Sequence, residues 1–133
     1  INKMSVKTNP VVWFEIYVND IARARKFYEM VLDKKLVDIP VKDATDFAMA
    51  TFPMADDMNA PNASGALVWM KGVESGGNST VVYFGSDDCA VEESRVKAAG
   101  GEIHKSKFPI GEYGFIALCV DTEGNIFGVH SMK

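Results

Sequence analysis

Two stretches of this chain share one grammar. VVWFEIYV (residues 11–18) is rich in β-branched and aromatic residues and runs into Asn19-Asp20; TVVYFGS (residues 80–86) does the same into Asp87-Asp88. Each reads as a β-strand delivering an aspartate to the N-cap of a helix. Setting Asp20 on Asp88 gives an offset of 88 − 20 = 68 residues, about half of the 133-residue chain. Little else is shared between the halves, so the repeat is one of element order.

The rest of each half follows the same course. After Asp20, Ile21, Ala24, Phe27, Tyr28 and Val31 recur at helical spacing, with Arg23, Arg25, Lys26 and Glu29 between them. This predicts an amphipathic helix with the five apolar residues inward. Strands are expected at residues 35–39, 47–52 and 66–70, separated by a loop at 53–64 rich in Pro, Asp and Asn. That loop reads as surface, with a lid as its alternative. The connector ESGGNS (74–79) leads into the second half. There a helix carrying Val91, Val96 and Ala99 inward is expected to stop at Gly100-Gly101, before strands at 102–106, 115–120 and 126–130. The fold class is therefore α+β: one domain, residues 1–133, made of β-α-β-β-β modules at 10–72 and 79–131.

One helix covers one face of such a module, so two modules are expected to enclose a cleft between their curved sheets. Strand alternation then sorts the side chains. With Phe14, Ile16 and Val18 against the helix, Trp13, Glu15 and Tyr17 face the cleft. Val82 and Phe84 go to the helix side of the second half, and Val81, Tyr83 and Gly85 inward. On the last strand Phe127 and Val129 pack away from the cleft, while Ile126, Gly128 and His130 face it.

Composition excludes several classes. The formal net charge is −4 and no Lys/Arg block stands out, so nucleic acid and anionic membranes are not expected partners. No apolar run reaches the roughly 18 residues that span a bilayer. The opening INKMSVKTNP is polar, unlike a signal peptide, and predicts a cytoplasmic protein. Ile1 to Lys3 precede the first methionine and read as a numbering remnant. Cys89 and Cys119 are too few for a disulfide scaffold and read as reduced, buried thiols. The N-x-S/T triplets at Asn62 and Asn78 read as chance matches. Gly76-Gly77 and Gly100-Gly101 read as linker and C-cap, and neither makes a dinucleotide fingerprint.

WFEIYVNDIARARKFYEMVL, AAGGEI and FIALCVDTEGNIFGVH together resemble the vicinal-oxygen-chelate superfamily of glyoxalase I, bleomycin-resistance proteins and extradiol dioxygenases. Its closing hairpin is usually D-P-x-G-N, and here Thr122 stands in the place of the proline. The resemblance implies paired β-α-β-β-β modules, a homodimer, and a divalent metal held by His/Gln and Glu side chains. Carried over by position, the expected ligands fall on Trp13, Val81 and Gly128, and ALVWM (66–70) contains no carboxylate. No metal and no other cofactor are therefore expected.

The remaining candidates are cleft residues. Glu15 is a carboxylate inside an apolar strand, either solvated or paired, or else an acceptor or base for a ligand. His130 is a packed imidazole, a pocket hydrogen-bonder or a general base; His104 reads as surface. Trp13, Tyr17 and Tyr83 can line an aromatic pocket or fill core. Met49, Met54, Met58 and Met70 suit an adaptable wall or ordinary packing. The leading expectation is a metal-independent protein holding an apolar or aromatic small molecule against Trp13, Glu15, Tyr17, Met70, Tyr83 and His130. The alternative is a lyase, isomerase or dioxygenase of the same superfamily, acting through Glu15 and His130 or an atypical metal site.

Overall fold

A computed structural model of the chain describes residues 9–41, 44–57, 59–77 and 79–133. Ile1 to Lys3, Met58 and Asn78 lie outside the described residues. The elements run β1 (Val11–Tyr17), α1 (Ile21–Leu32), β2 (Val37–Ile39), β3 (Phe47–Thr51), β4 (Ser64–Met70), β5 (Thr80–Gly85), α2 (Cys89–Val96), β6 (Glu102–Pro109), β7 (Phe115–Val120) and β8 (Ile126–Ser131). The order β-α-β-β-β occurs twice, as the paired strand-to-aspartate turns predict, and the fold is α+β.

Two compact units divide the chain: Trp13–Val81, and residues 9–12 with Val82–Lys133. In the first the strand order is β2-β3-β4-β1, with β1 parallel to β4 and the other pairs antiparallel. In the second it is β5-β8-β7-β6, with β5 parallel to β8. Each helix carries the chain to the far edge of its four strands, and two antiparallel steps bring it back parallel to the strand it left.

Both helices start as the sequence predicts. The Asp20 carboxylate accepts from the Arg23 N–H at 3.0 Å, and that of Asp88 from Ala90 N–H at 3.0 Å. Asp88 also takes the Lys107 ammonium at 2.8 Å. These contacts, the Lys107 hydrogen bond foremost, hold its carboxyl below the usual range. Ser131, fully buried on β8, accepts from the Cys89 N–H at 2.9 Å and so seats the first turn of α2.

The helix faces correct the expectation. Ile21, Ala24 and Tyr28 pack on the core of Val18, Leu36, Ala50, Phe52 and Leu67, but Phe27 is 58% exposed and Val31 60%. Five apolar positions spread too widely for one sheet face to cover, and polar contacts decide which are left out. Glu29 accepts from Arg25 Nε at 3.1 Å and from the Leu36 N–H at 2.8 Å, while Arg25 also binds Asp38 and the Leu36 carbonyl. This clamp ties α1 to the start of β2 and places Arg25 and Glu29 beside the sheet. Phe27→Ser and Val31→Ser are accordingly expected to change stability by no more than about 0.5 kcal/mol in urea denaturation.

In α2 the buried residue is Cys89; Val91 is 48% exposed and Ala99 is exposed as well. The helix ends at Val96, and the left-handed Gly100 (φ 104°) follows three residues beyond its Lys97 cap. Cys89 and Cys119, both free and buried, pack with Ala117 and Val129. Burial pushes the Cys119 thiol up, which keeps it protonated. Strand β4 begins two residues before the expected start, because the Ser64 hydroxyl donates to the carbonyls of Phe52 and Pro53 and closes the base of the loop. Strand β6 continues past the expected Ser106 to Pro109 by absorbing register shifts against β7. The closing turn forms without its proline. The Asp121 carboxylate accepts from the N–H groups of Glu123 (2.8 Å) and Asn125 (2.9 Å), and Gly124 takes φ 86°.

Candidate functional site

In the unit Trp13–Val81, period-2 alternation puts Phe14 and Ile16 into the core beneath α1. Trp13, Glu15 and Tyr17 therefore share the face away from the helix. Glu15 lies directly opposite Ala66 of β4, and Tyr17 opposite Val68. Met70 is two residues further along the same face, where Phe47 and Met49 of β3 pair with β4. Met54, by contrast, is in the loop after β3 and 53% exposed.

Glu15 is the centre of this face. Trp13 Nε1–H donates to its Oε2 at 3.2 Å and the Tyr17 hydroxyl donates to its Oε1 at 2.9 Å. Side chains two apart on one strand point the same way, so W-x-E-x-Y encodes this clamp directly. A half-buried carboxylate needs partners, and here an indole and a phenol supply them with large apolar rings attached. Burial, then the charge of Glu15 and the hydrogen bond to it, raise the Tyr17 phenol well above its ordinary range. Tyr17 therefore stays a donor at any physiological pH. In a spectrophotometric titration it should contribute no tyrosinate signal near pH 10, where free tyrosine ionises, so Tyr17→Phe leaves that step unchanged.

The second unit holds the other two candidates. Tyr83 is 6% exposed and stands opposite Gly128 in the parallel β5–β8 register. Its ring covers the glycine: a Cβ built on Gly128 would lie 2.3 Å from Tyr83 Cδ2 and 2.4 Å from Cε2. His130 is next to Gly85 and Ile116 on β8. Its Nε2 lies 2.6 Å from the carbonyl oxygen of Tyr113. A carbonyl only accepts, so Nε2 carries the proton, and the imidazole holds the 3₁₀ turn Gly111–Tyr113 to β8. No side-chain pattern announces such a main-chain partner. Gly114 follows that turn at φ 101°, and its Cβ would meet the Ser131 carbonyl at 2.4 Å, so glycine is required there. His104 is exposed.

The model of the Glyoxalase/Bleomycin resistance protein/Dioxygenase superfamily matches residues 11–129. The chain belongs to this superfamily. Among solved structures it is similar to a variant of Streptomyces coelicolor methylmalonyl-CoA epimerase in complex with 2-nitronate-propionyl-CoA, at TM-score 0.69 and 13% identity, covering 94% of this chain and 98% of that one. It is also similar to methylmalonyl-CoA epimerase from Mycobacterium tuberculosis, at TM-score 0.65 and 14% identity, covering 95% and 89%. A third likeness is to a hypothetical protein from Bacillus halodurans, at TM-score 0.68 and 16% identity, covering 96% of each chain. At these identities the likeness is one of fold. The comparison with curated proteins finds no match.

The superfamily resemblance implies a divalent metal, and the side chains at its positions do not fit one. An indole N–H is a donor only, valine offers no ligand atom, and the space over Gly128 is filled by the Tyr83 ring. Among the described residues no three of His, Cys, Asp and Glu gather closely enough to hold a cation.

Proposed function

We propose that this superfamily member binds a small apolar or aromatic molecule, without a metal, on the sheet face that carries Trp13, Glu15, Tyr17 and Met70. The observation that supports it is the clamp on Glu15: one carboxylate held by two donors, each at the edge of a large ring. Rings and methionines give a flat ligand apolar surface, and a carboxylate set between them marks where a ligand's polar hydrogen would be directed. In the same proposal the chain acts as a cytoplasmic homodimer. No helix among the described residues is long and apolar enough to cross a membrane.

A thermal-shift screen of apolar and aromatic compounds bearing a polar hydrogen tests this reading. A ligand at about 100 times its Kd should add about 2.7 kcal/mol of stability, and Trp13→Ala should abolish the gain. A library without a hit, or a hit that Trp13→Ala leaves unchanged, contradicts it.

The second reading is a lyase, isomerase or dioxygenase using Glu15 and His130 or an atypical metal. The fold likeness to methylmalonyl-CoA epimerases supports an isomerase-type activity. Two features weigh against the residue pair. Glu15 is tied to two rings, and His130 commits Nε2 to Tyr113, which leaves Nδ1 as its one nitrogen for proton transfer. Stoichiometric metal in protein purified without chelator, lost in Glu15→Gln, would favour this second reading.

A further inference from the structure

The helix side of the first unit has an opening of its own. A groove of about 440 Å³ is lined by Phe14 and Ile16 of β1, Tyr28 of α1, and Phe52 and Ala63 at the ends of the β3–β4 loop, with Lys34 among its lining residues. It exists because α1 rests on the sheet without one fully buried residue and stops at the left-handed Asp33. Its wall is aromatic: the Phe14 and Phe52 rings are 5.6 Å apart, and Tyr28 meets Phe52 edge-on at 5.8 Å. The volume falls within the range of about 300–1,000 Å³ common to small-molecule sites.

Lys34 also lines an adjoining basin of about 320 Å³, together with Glu29, Asp33 and Lys35. The Glu29 carboxylate is already taken by Arg25 and the Leu36 N–H. Arg25 is shared between Glu29 and Asp38, and Lys35 also acts on Glu29, so the basin is balanced in charge. Lys34 brings a positive charge to the apolar groove, whose other lining residues are uncharged. The Ser64 hydroxyl at its floor is spent on the carbonyls of Phe52 and Pro53 and directs no ligand.

We infer that this groove is a second ligand site, distinct from the face of Trp13, Glu15 and Tyr17, for a small amphiphilic anion. The apolar or aromatic body lies on Phe14, Phe52 and Tyr28, and the carboxylate or sulfonate head meets Lys34. The head group makes the assignment specific, since a neutral body of the same shape gains the apolar contacts alone.

Titration of the isotope-labelled full chain with decanoate and with decan-1-ol, followed by NMR, tests the site. Saturable binding is expected, about tenfold tighter for decanoate, with cross-relaxation from the probe to the Phe52 and Tyr28 ring protons. Lys34→Glu, at an exposed position, should remove the preference for decanoate while decanol binding persists. Ala63→Trp should weaken both probes at least tenfold, with its melting temperature recorded to confirm folding. The proposal is overturned by the absence of saturable binding, by equal wild-type affinity for the two probes, or by cross-relaxation to the Trp13 and Tyr17 rings instead. It is also overturned if a second copy of the chain covers the groove, so that probe affinity falls as protein concentration rises.

Discussion

Gly128→Glu is expected to destabilise the protein by about 3 kcal/mol, the upper end of ordinary overpacking, and to lower Tm by roughly 10 °C. A Cβ at this position would sit 2.3 Å from Tyr83 Cδ2 and 3.1 Å from Cγ. Contact that close to the root of the ring cannot be relieved by a small rotation, so the whole phenol must leave a nearly buried seat. The new carboxylate would also stand opposite Leu118 of β7, where it gains no partner from that residue. Tyr83→Ala should relieve most of the cost of Gly128→Ala, giving a coupling of about 1–3 kcal/mol in a double-mutant cycle. No gain in Ni²⁺ or Zn²⁺ affinity is expected from Gly128→Glu, because Trp13 and Val81 supply no ligand atom. An unchanged Tm would show that the ring does not occupy this space.

Trp13→Phe and Tyr17→Phe are expected to cost about 1–2 kcal/mol each, because each removes a donor from a half-buried carboxylate; Tyr17→Phe keeps its ring, and Trp13→Phe puts a smaller ring in place of the indole. The two share one acceptor, so their costs should not add. In a Glu15→Leu background Tyr17→Phe should become nearly neutral and Trp13→Phe should keep only the cost of its smaller ring, since no charge then waits for a partner. Each is also expected to weaken a ligand of this face about tenfold. Equal costs with and without Glu15, measured by urea denaturation, would contradict the clamp.

Much of this could be read from residues close together in the chain. The alternation in VVWFEIY separates Phe14 and Ile16 from Trp13, Glu15 and Tyr17, and the structure puts the first pair into the core. The Asp20 and Asp88 caps are equally local, as is the turn at Asp121. What was not legible depends on distant partners. The roll of α1 is set by the Glu29 contact with Leu36 and the Arg25 contact with Asp38, and the helix alone gave no reason to expose Phe27. Register between β5 and β8 brings the Tyr83 ring onto Gly128; the sequence showed a missing ligand there, not its occupant. The strand expected at 102–106 runs on to Pro109, and that extra length depends on register shifts against β7, a partner that the local run does not show. The groove beneath α1 arises from incomplete packing, which no spacing encodes.

The central claim is metal-independent binding on the face of Trp13, Glu15 and Tyr17. The most direct measurement is isothermal titration calorimetry of a thermal-shift hit, before and after dialysis against EDTA, with the metal content of each sample determined. This account predicts the same Kd in both samples, substoichiometric metal throughout, and loss of binding in Trp13→Ala. Stoichiometric metal in the untreated protein, with binding lost after EDTA and restored by adding that metal, would contradict it.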